Sequence, residues 1–474
     1  MSEKVYPRPL RRTQIATGQV EGIRGNNPRF TIYKGIPYAA PPVGELRWKK
    51  PQPPAAWEGI RRCTEFSPAS HQCERWGDGD TWADDFCQYE PVRSEDCLYL
   101  NVWTPAAEGE HDLPVFVWYH GGAFANGNGA EIHIDGEGYC KRGIVFVSVN
   151  YRLGALGYLA HPELSAESPD HVSGNYGLYD QIAALTWVKE NIEAFGGDPN
   201  CITIGGQSAG AGTCLELCVS PLTEGLFQRM IIQSGFICSG QSNCVPPSMK
   251  EGEDYGVSFA REYGCTSIEE MRQIPAEEFG KDQGMMVGRP FLPLNDGIAL
   301  TEAFIDTMEA GRHRNVDVMM GNTSGEWGVD PEHLLLPDTI RMGQLQKELG
   351  RSPAYLYCFT RGLPGPDDPG AIHGAEQWYE FETLMRGWRP FTGEDFDLAV
   401  KLTDYFAAFI RTGDPNSGNP SAGGRGNYAG AKRDLPVGNI CGVDLPVWKP
   451  FDPEDPRCME LGIHLGMIEP NPCK

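Results

Sequence analysis

Short runs of β-branched and aromatic residues recur between stretches dense in glycine and proline: Val115–Tyr119, Ile144–Asn150, Cys201–Gly205, Met230–Gln233, Val316–Gly321 and Ala354–Phe359. They are apolar almost throughout, without the alternation of a half-solvated sheet, and this predicts strands buried on both faces. Helical spacing fills the gaps. In Leu178–Phe195 the residues Ile182, Leu185, Val188 and Ile192 share one face, and Gly196-Gly197 stops the helix. Further helices are predicted over Ala211–Val219 and Leu398–Thr412. Buried strands separated by helices make an α/β fold with a mostly parallel sheet covered on both faces, whose reactive groups collect beyond the carboxyl ends of the strands. Gly362–Pro369 and Thr412–Val437 read as surface loops. With no repeat, low-complexity tract or linker, one domain over 1–474 is expected.

Composition narrows the partners. The 474 residues include 64 acidic and 40 basic side chains, a net charge of −24, which repels nucleic acid and anionic membranes. Neither is expected as a partner. The start, MSEKVYPRPLRR, lacks the apolar stretch of a signal peptide, and no run reaches the roughly 18 apolar residues of a membrane span. A cytoplasmic location is therefore expected. Fifteen cysteines include no CxxC pair, so no metal site is expected. Cys63, Cys73, Cys87 and Cys97 are close enough in sequence to form disulfides, but reduced thiols are expected in that compartment.

The chemistry centres on Gly206-Gln207-Ser208-Ala209-Gly210, a GxSxG pattern directly after the strand 201–205 and before a helix. Small flanking residues let the backbone turn sharply enough to lift a serine Oγ onto an exposed apex. The positive end of the following helix favours an oxyanion there. Ser208 is thus a candidate nucleophile. The alternative is a glycine-rich turn for phosphate, but GxxxxGK[ST] is absent. The strand 115–119 runs into His120-Gly121-Gly122-Ala123-Phe124, whose small side chains expose backbone N–H groups. Gly122, Ala123 and Ala209 are assigned as oxyanion donors, and His120 a structural role in that loop.

In hydrolases of this chain order the acid and then the histidine follow the serine. His313, His333, His373 and His464 qualify; His373, flanked by glycine in a loop after the strand 354–359, is best placed to carry a proton near neutrality. For the acid, Glu326 lies in the loop after the strand 316–321, with Asp317 and Asp330 as weaker alternatives.

These stretches together resemble the type-B carboxylesterase family, which includes the cholinesterases, and especially its shorter bacterial members of the para-nitrobenzyl-esterase kind. The resemblance spans about 17–448 and rests on FTIYKGIPYAAPPVG from Phe30, SEDCLYLNVW from Ser94, HGGAF from His120, NYRLG from Asn150, NYGLYDQ from Asn175, FGGDP from Phe195 and GQSAG from Gly206. It implies an α/β-hydrolase fold, with long insertions over the central sheet forming the active-site pocket. It further implies an esterase without cofactor, with Ser208 as nucleophile, Glu326 as acid and His373 as base. The substrates implied are small to medium uncharged esters.

Two positions depart from the family pattern: Gln207 stands where many relatives have Glu, and Trp327 where Gly is usual. Phe291, Leu292 and Leu294 match the segment near the acyl pocket, and Phe124, Gln207 and Trp327 are assigned to the pocket with them. Ser234 resembles a serine that supports the triad from behind. Arg47 with Glu95, and Arg152 with Asp180, resemble the family's buried ion pairs. Cys73 and Cys97 sit where secreted relatives form a disulfide. No choline-binding role is carried to Trp76 or Trp82. Two other outcomes stay open on sequence alone: a hydrolase-fold binding protein without activity, and an acyltransferase, thioesterase or amide hydrolase using the same triad. A monomer is favoured.

Overall fold

A computed structural model describes residues 7–72, 81–235, 247–281, 291–326, 335–418 and 445–469. Its centre is one sheet, whose parallel part runs, in spatial order, Val145–Val149, Leu113–Tyr119, Gly197–Gln207, Arg229–Gln233, Asp317–Thr323, Tyr355–Phe359 and Cys458–Leu461. All six predicted strands are here. Antiparallel strands extend both ends: Tyr99–Thr104, Thr31–Pro37, Gly18–Arg24 and Arg12–Ile15 beyond Val145–Val149, and Gly466–Ile468 at the far edge. Ile60–Cys63 pairs off Gly18–Arg24 in parallel.

The unbroken apolar runs have a direct cause. Val115, Val117 and Tyr119 point into one core with Val145, Val147, Ile202 and Ile204, while Phe116 and Trp118 point into the opposite core with Phe146, Ile231 and Met319. Side chains alternate faces along a strand, and here both faces are dry. Tyr176–Asn191 and Ala209–Val219 pack on the first face, Gly393–Thr412 and Glu376–Glu380 on the second. The predicted helix over 178–195 is an α-helix to Asn191 and tightens into a 3-10 turn, Ile192–Phe195, before Gly196 takes φ 86°. The predicted loop 362–369 contains neither helix nor strand, and most of 412–437 lies outside the described residues.

Both implied ion pairs form. Arg47 is bidentate to Glu95 at 2.6 and 2.7 Å, and Arg152 to Asp180 at 2.7 Å through both nitrogens. Arg152 and Asp180 are both buried. Asp180→Asn leaves an isolated guanidinium in the core, and a loss of about 3–5 kcal/mol of stability is expected in urea unfolding. Cys63 and Cys97 are buried free thiols, while Cys73 lies outside the described residues.

Candidate active site

Five strand ends deliver the predicted chemistry to one edge of the sheet. Tyr119 pairs with Gly206, Gln207 with Gln233, Gln233 with Gly321, and Thr323 with Phe359, so the segments that follow emerge side by side. The turn at Ser208 is sharp because its glycines let backbones touch. A Cβ on Gly210 would collide with the Tyr119 carbonyl, and one on Gly206 with the backbone of Gly210. Ser208 itself takes φ 56°, ψ −120°, a conformation that costs an L-residue about 1–3 kcal/mol. Its N–H donates to the Gln233 carbonyl at 2.9 Å, and it caps the helix Ala209–Val219.

The loop after Tyr119 lies against this turn: a Cβ on Gly121 would stand 3.3 Å from Ser208 Cβ. Gly122, Ala123 and Phe124 all have positive φ, at 102°, 53° and 58°. His120 anchors the loop. Its Nδ1 bonds the Gly121 carbonyl at 2.8 Å and its ring stacks on Tyr151 with centroids 4.3 Å apart. Burial pulls this imidazole down to about 4, so it stays neutral.

Glu326 and His373 come together in the core of the site. The Glu326 carboxylate accepts from His373 Nδ1 through one oxygen. Its other oxygen accepts from Ser234 Oγ at 2.6 Å and the Thr323 N–H at 2.9 Å. Burial alone would push this carboxyl up, but the imidazole and these donors hold it below the ordinary carboxylate range. A bridge between Gly325 and Ile372, with Gly325 N–H on the Ala371 carbonyl at 3.0 Å, locks the acid's loop to the histidine's loop. On the far side of the ring, Gln207 Nε2 lies 2.9 Å from His373 Nε2. With Nδ1–H committed to Glu326, Nε2 carries a lone pair and the amide donates to it. The other candidates take different places. Asp317 opens its strand and pairs with Arg229 at 3.4 Å, and His464 is exposed in the turn before Gly466–Ile468.

The pocket assignments divide. Gln207 lines a cavity of about 60 Å³ together with Gly121, Gly122, Trp82, Glu131 and Gln377. Phe124 and Phe291 are buried in the cluster that holds Ala209, with Phe291 edge-on to Phe259 at 4.8 Å and Leu292 packed against them. Trp327 lies outside the described residues, as do Trp76, Asp330 and His333.

The sequence profile of the carboxylesterase family matches residues 10–349 and 332–471. The chain belongs to the carboxylesterase family. It is accordingly a carboxylic-ester hydrolase with the α/β-hydrolase fold. Among relatives, the fumonisin B1 esterase of Sphingopyxis macrogoltabida is 33% identical over 88% of this chain and 84% of its own length. The para-nitrobenzyl esterase of Bacillus subtilis (strain 168) is 42% identical over 47% of this chain and 44% of its own. A solved PNB esterase structure superposes with TM-score 0.74 at 26% identity over 97% of both chains.

Three residues of this carboxylesterase border the site without a sequence signal that assigns them to it. Trp82, on the short helix Thr81–Phe86, donates its indole N–H to the His373 carbonyl at 3.1 Å. Glu131 and His133 sit in the cavity wall, 3.5 Å apart. Burial raises Glu131 to about 8 and lowers His133 to about 3, which leaves the imidazole neutral near pH 7. The stretch Asn126-Gly-Asn-Gly129 before them reads as a turn, and nothing local separates the two residues from a solvated loop.

Proposed function

We propose that the enzyme hydrolyses small to medium uncharged carboxylic esters through an acyl-enzyme formed on Ser208. The observation that carries this is the Glu326–His373 bond, which fixes the proton on Nδ1 and turns the Nε2 lone pair toward the elbow residue Gln207. In the proposed cycle the Gln207 amide releases Nε2, which takes the Ser208 Oγ proton as Oγ attacks the ester carbonyl. The N–H groups of Gly122, Ala123 and Ala209 hold the oxyanion. Collapse expels the alcohol, which receives the proton from His373, and water then repeats the sequence on the acyl group. Ser234 steadies the acid through its bond to Glu326.

The test is a fluorophosphonate probe followed by mass spectrometry. One adduct is expected, on the Ser208 peptide, with p-nitrophenyl acetate turnover lost in step with labelling. Turnover that survives full labelling, or an adduct elsewhere, overturns the reading.

Gln207 supplies a second expectation. Its amide donates to Nε2, whereas the carboxylate of Gln207→Glu favours the imidazolium. The acid limb of the kcat/KM profile should move up by about one pH unit, lowering activity on that limb by up to about tenfold. An unmoved limb means that residue 207 does not act on the base.

A further inference from the structure

A cavity of about 620 Å³ lies behind the wall that carries Glu131 and Ile132, outside the proposed catalytic groups. We propose that it binds a monocarboxylate with an apolar tail, the carboxylate on Lys34 and the tail along Phe66 and Trp103. Lys34, on the strand Thr31–Pro37, is half-buried with its ammonium 4.2 Å from the Phe66 ring centre, and among the described residues it has no ion-pair partner. The Phe66 ring stands 6.2 Å from that of Trp103. Trp103 is 1% exposed, and its indole N–H has no hydrogen-bond partner among the described residues. Lys34, Phe66 and Trp103 therefore border one space, in which Ile23, Ile32 and Ile134 add apolar wall beside the charged Arg24, Asp135, Glu137 and Arg386.

The acids that line the cavity are already engaged. Asp135 pairs with Arg386 and accepts the Glu137 N–H at 2.7 Å; Glu137 accepts the N–H groups of Asn26 and Asn27. Glu131, raised to about 8 by burial, carries no full charge near neutrality. Burial likewise lowers Lys34, as it does for an ammonium whose hydration is only partly replaced. Asp135 attracts the Lys34 ammonium and Arg386 repels it, but neither makes an ion pair with it, and Arg386 holds the Asp135 carboxylate. A single negative charge satisfies Lys34, while a phosphate dianion meets stronger repulsion from Asp135 and Glu137. The carboxylate class is also that of the acid an esterase releases.

Calorimetric titration of the full chain with octanoate tests this, with octan-1-ol as the neutral control. Octanoate is expected to bind the wild type. Lys34→Met should weaken that site at least about tenfold and Lys34→Arg by no more than about threefold. Ester kcat/KM should stay unchanged in both variants, which also reports correct folding. No octanoate binding to the wild type, equal binding to Lys34→Met, or equal binding of octan-1-ol overturns the proposal.

Discussion

Ser208→Ala is expected to lower kcat for p-nitrophenyl acetate by about 10⁴–10⁶-fold, leaving the residual rate that oxyanion donors and binding alone supply. The same position should show a second, separable effect on stability. Ser208 is held at φ 56°, where a Cβ is strained and glycine is not. Relief of about 1–3 kcal/mol of strain, offset by about 0.5–1 kcal/mol of extra chain entropy, makes Ser208→Gly about 1 kcal/mol more stable than Ser208→Ala. Both variants should be equally inactive, and the urea midpoints should separate them. Near wild-type turnover in either one would falsify the nucleophile assignment.

The central strands were legible because burial on both faces removes polar positions: Phe116 and Val117 serve opposite cores yet are both apolar. The antiparallel strands toward the N-terminus carry no such unbroken run. Thr31–Pro37 carries Gly35 and Pro37, which read as punctuation, and its partner Tyr99–Thr104 lies far along the chain. The site follows the same division. Ser208 and the loop at 120–124 are marked by local glycine patterns, because their backbones must turn sharply or approach closely. The Gln207–His373 and Trp82–His373 contacts join residues 166 and 291 positions apart, and no local pattern encodes such pairs. Position favours His373 among four histidines and Glu326 over Asp317 and Asp330, and the family resemblance strengthens both assignments.

Glu326→Gln is expected to cost about 10³–10⁴-fold in kcat with little change in fold, because it reverses a hydrogen bond rather than removing one. The Glu326 oxygen opposite the histidine accepts from both Ser234 Oγ and the Thr323 N–H. The backbone N–H cannot turn away, so a glutamine carbonyl is drawn to that side. Its NH₂ then faces His373 Nδ1, where the wild type has an acceptor. The imidazole can meet that donor only with a lone pair on Nδ1, which moves its proton to Nε2. A protonated Nε2 cannot accept from Ser208, and the Gln207 amide must turn its oxygen toward the ring in place of its NH₂. Glu326→Asp retains the carboxylate and should lose less than Glu326→Gln. The check is kcat for the three proteins at one pH, with ¹⁵N-labelled histidine reporting the tautomer. An Nδ1–H signal persisting in Glu326→Gln, or kcat within tenfold of wild type, would show that the acid does not orient the base.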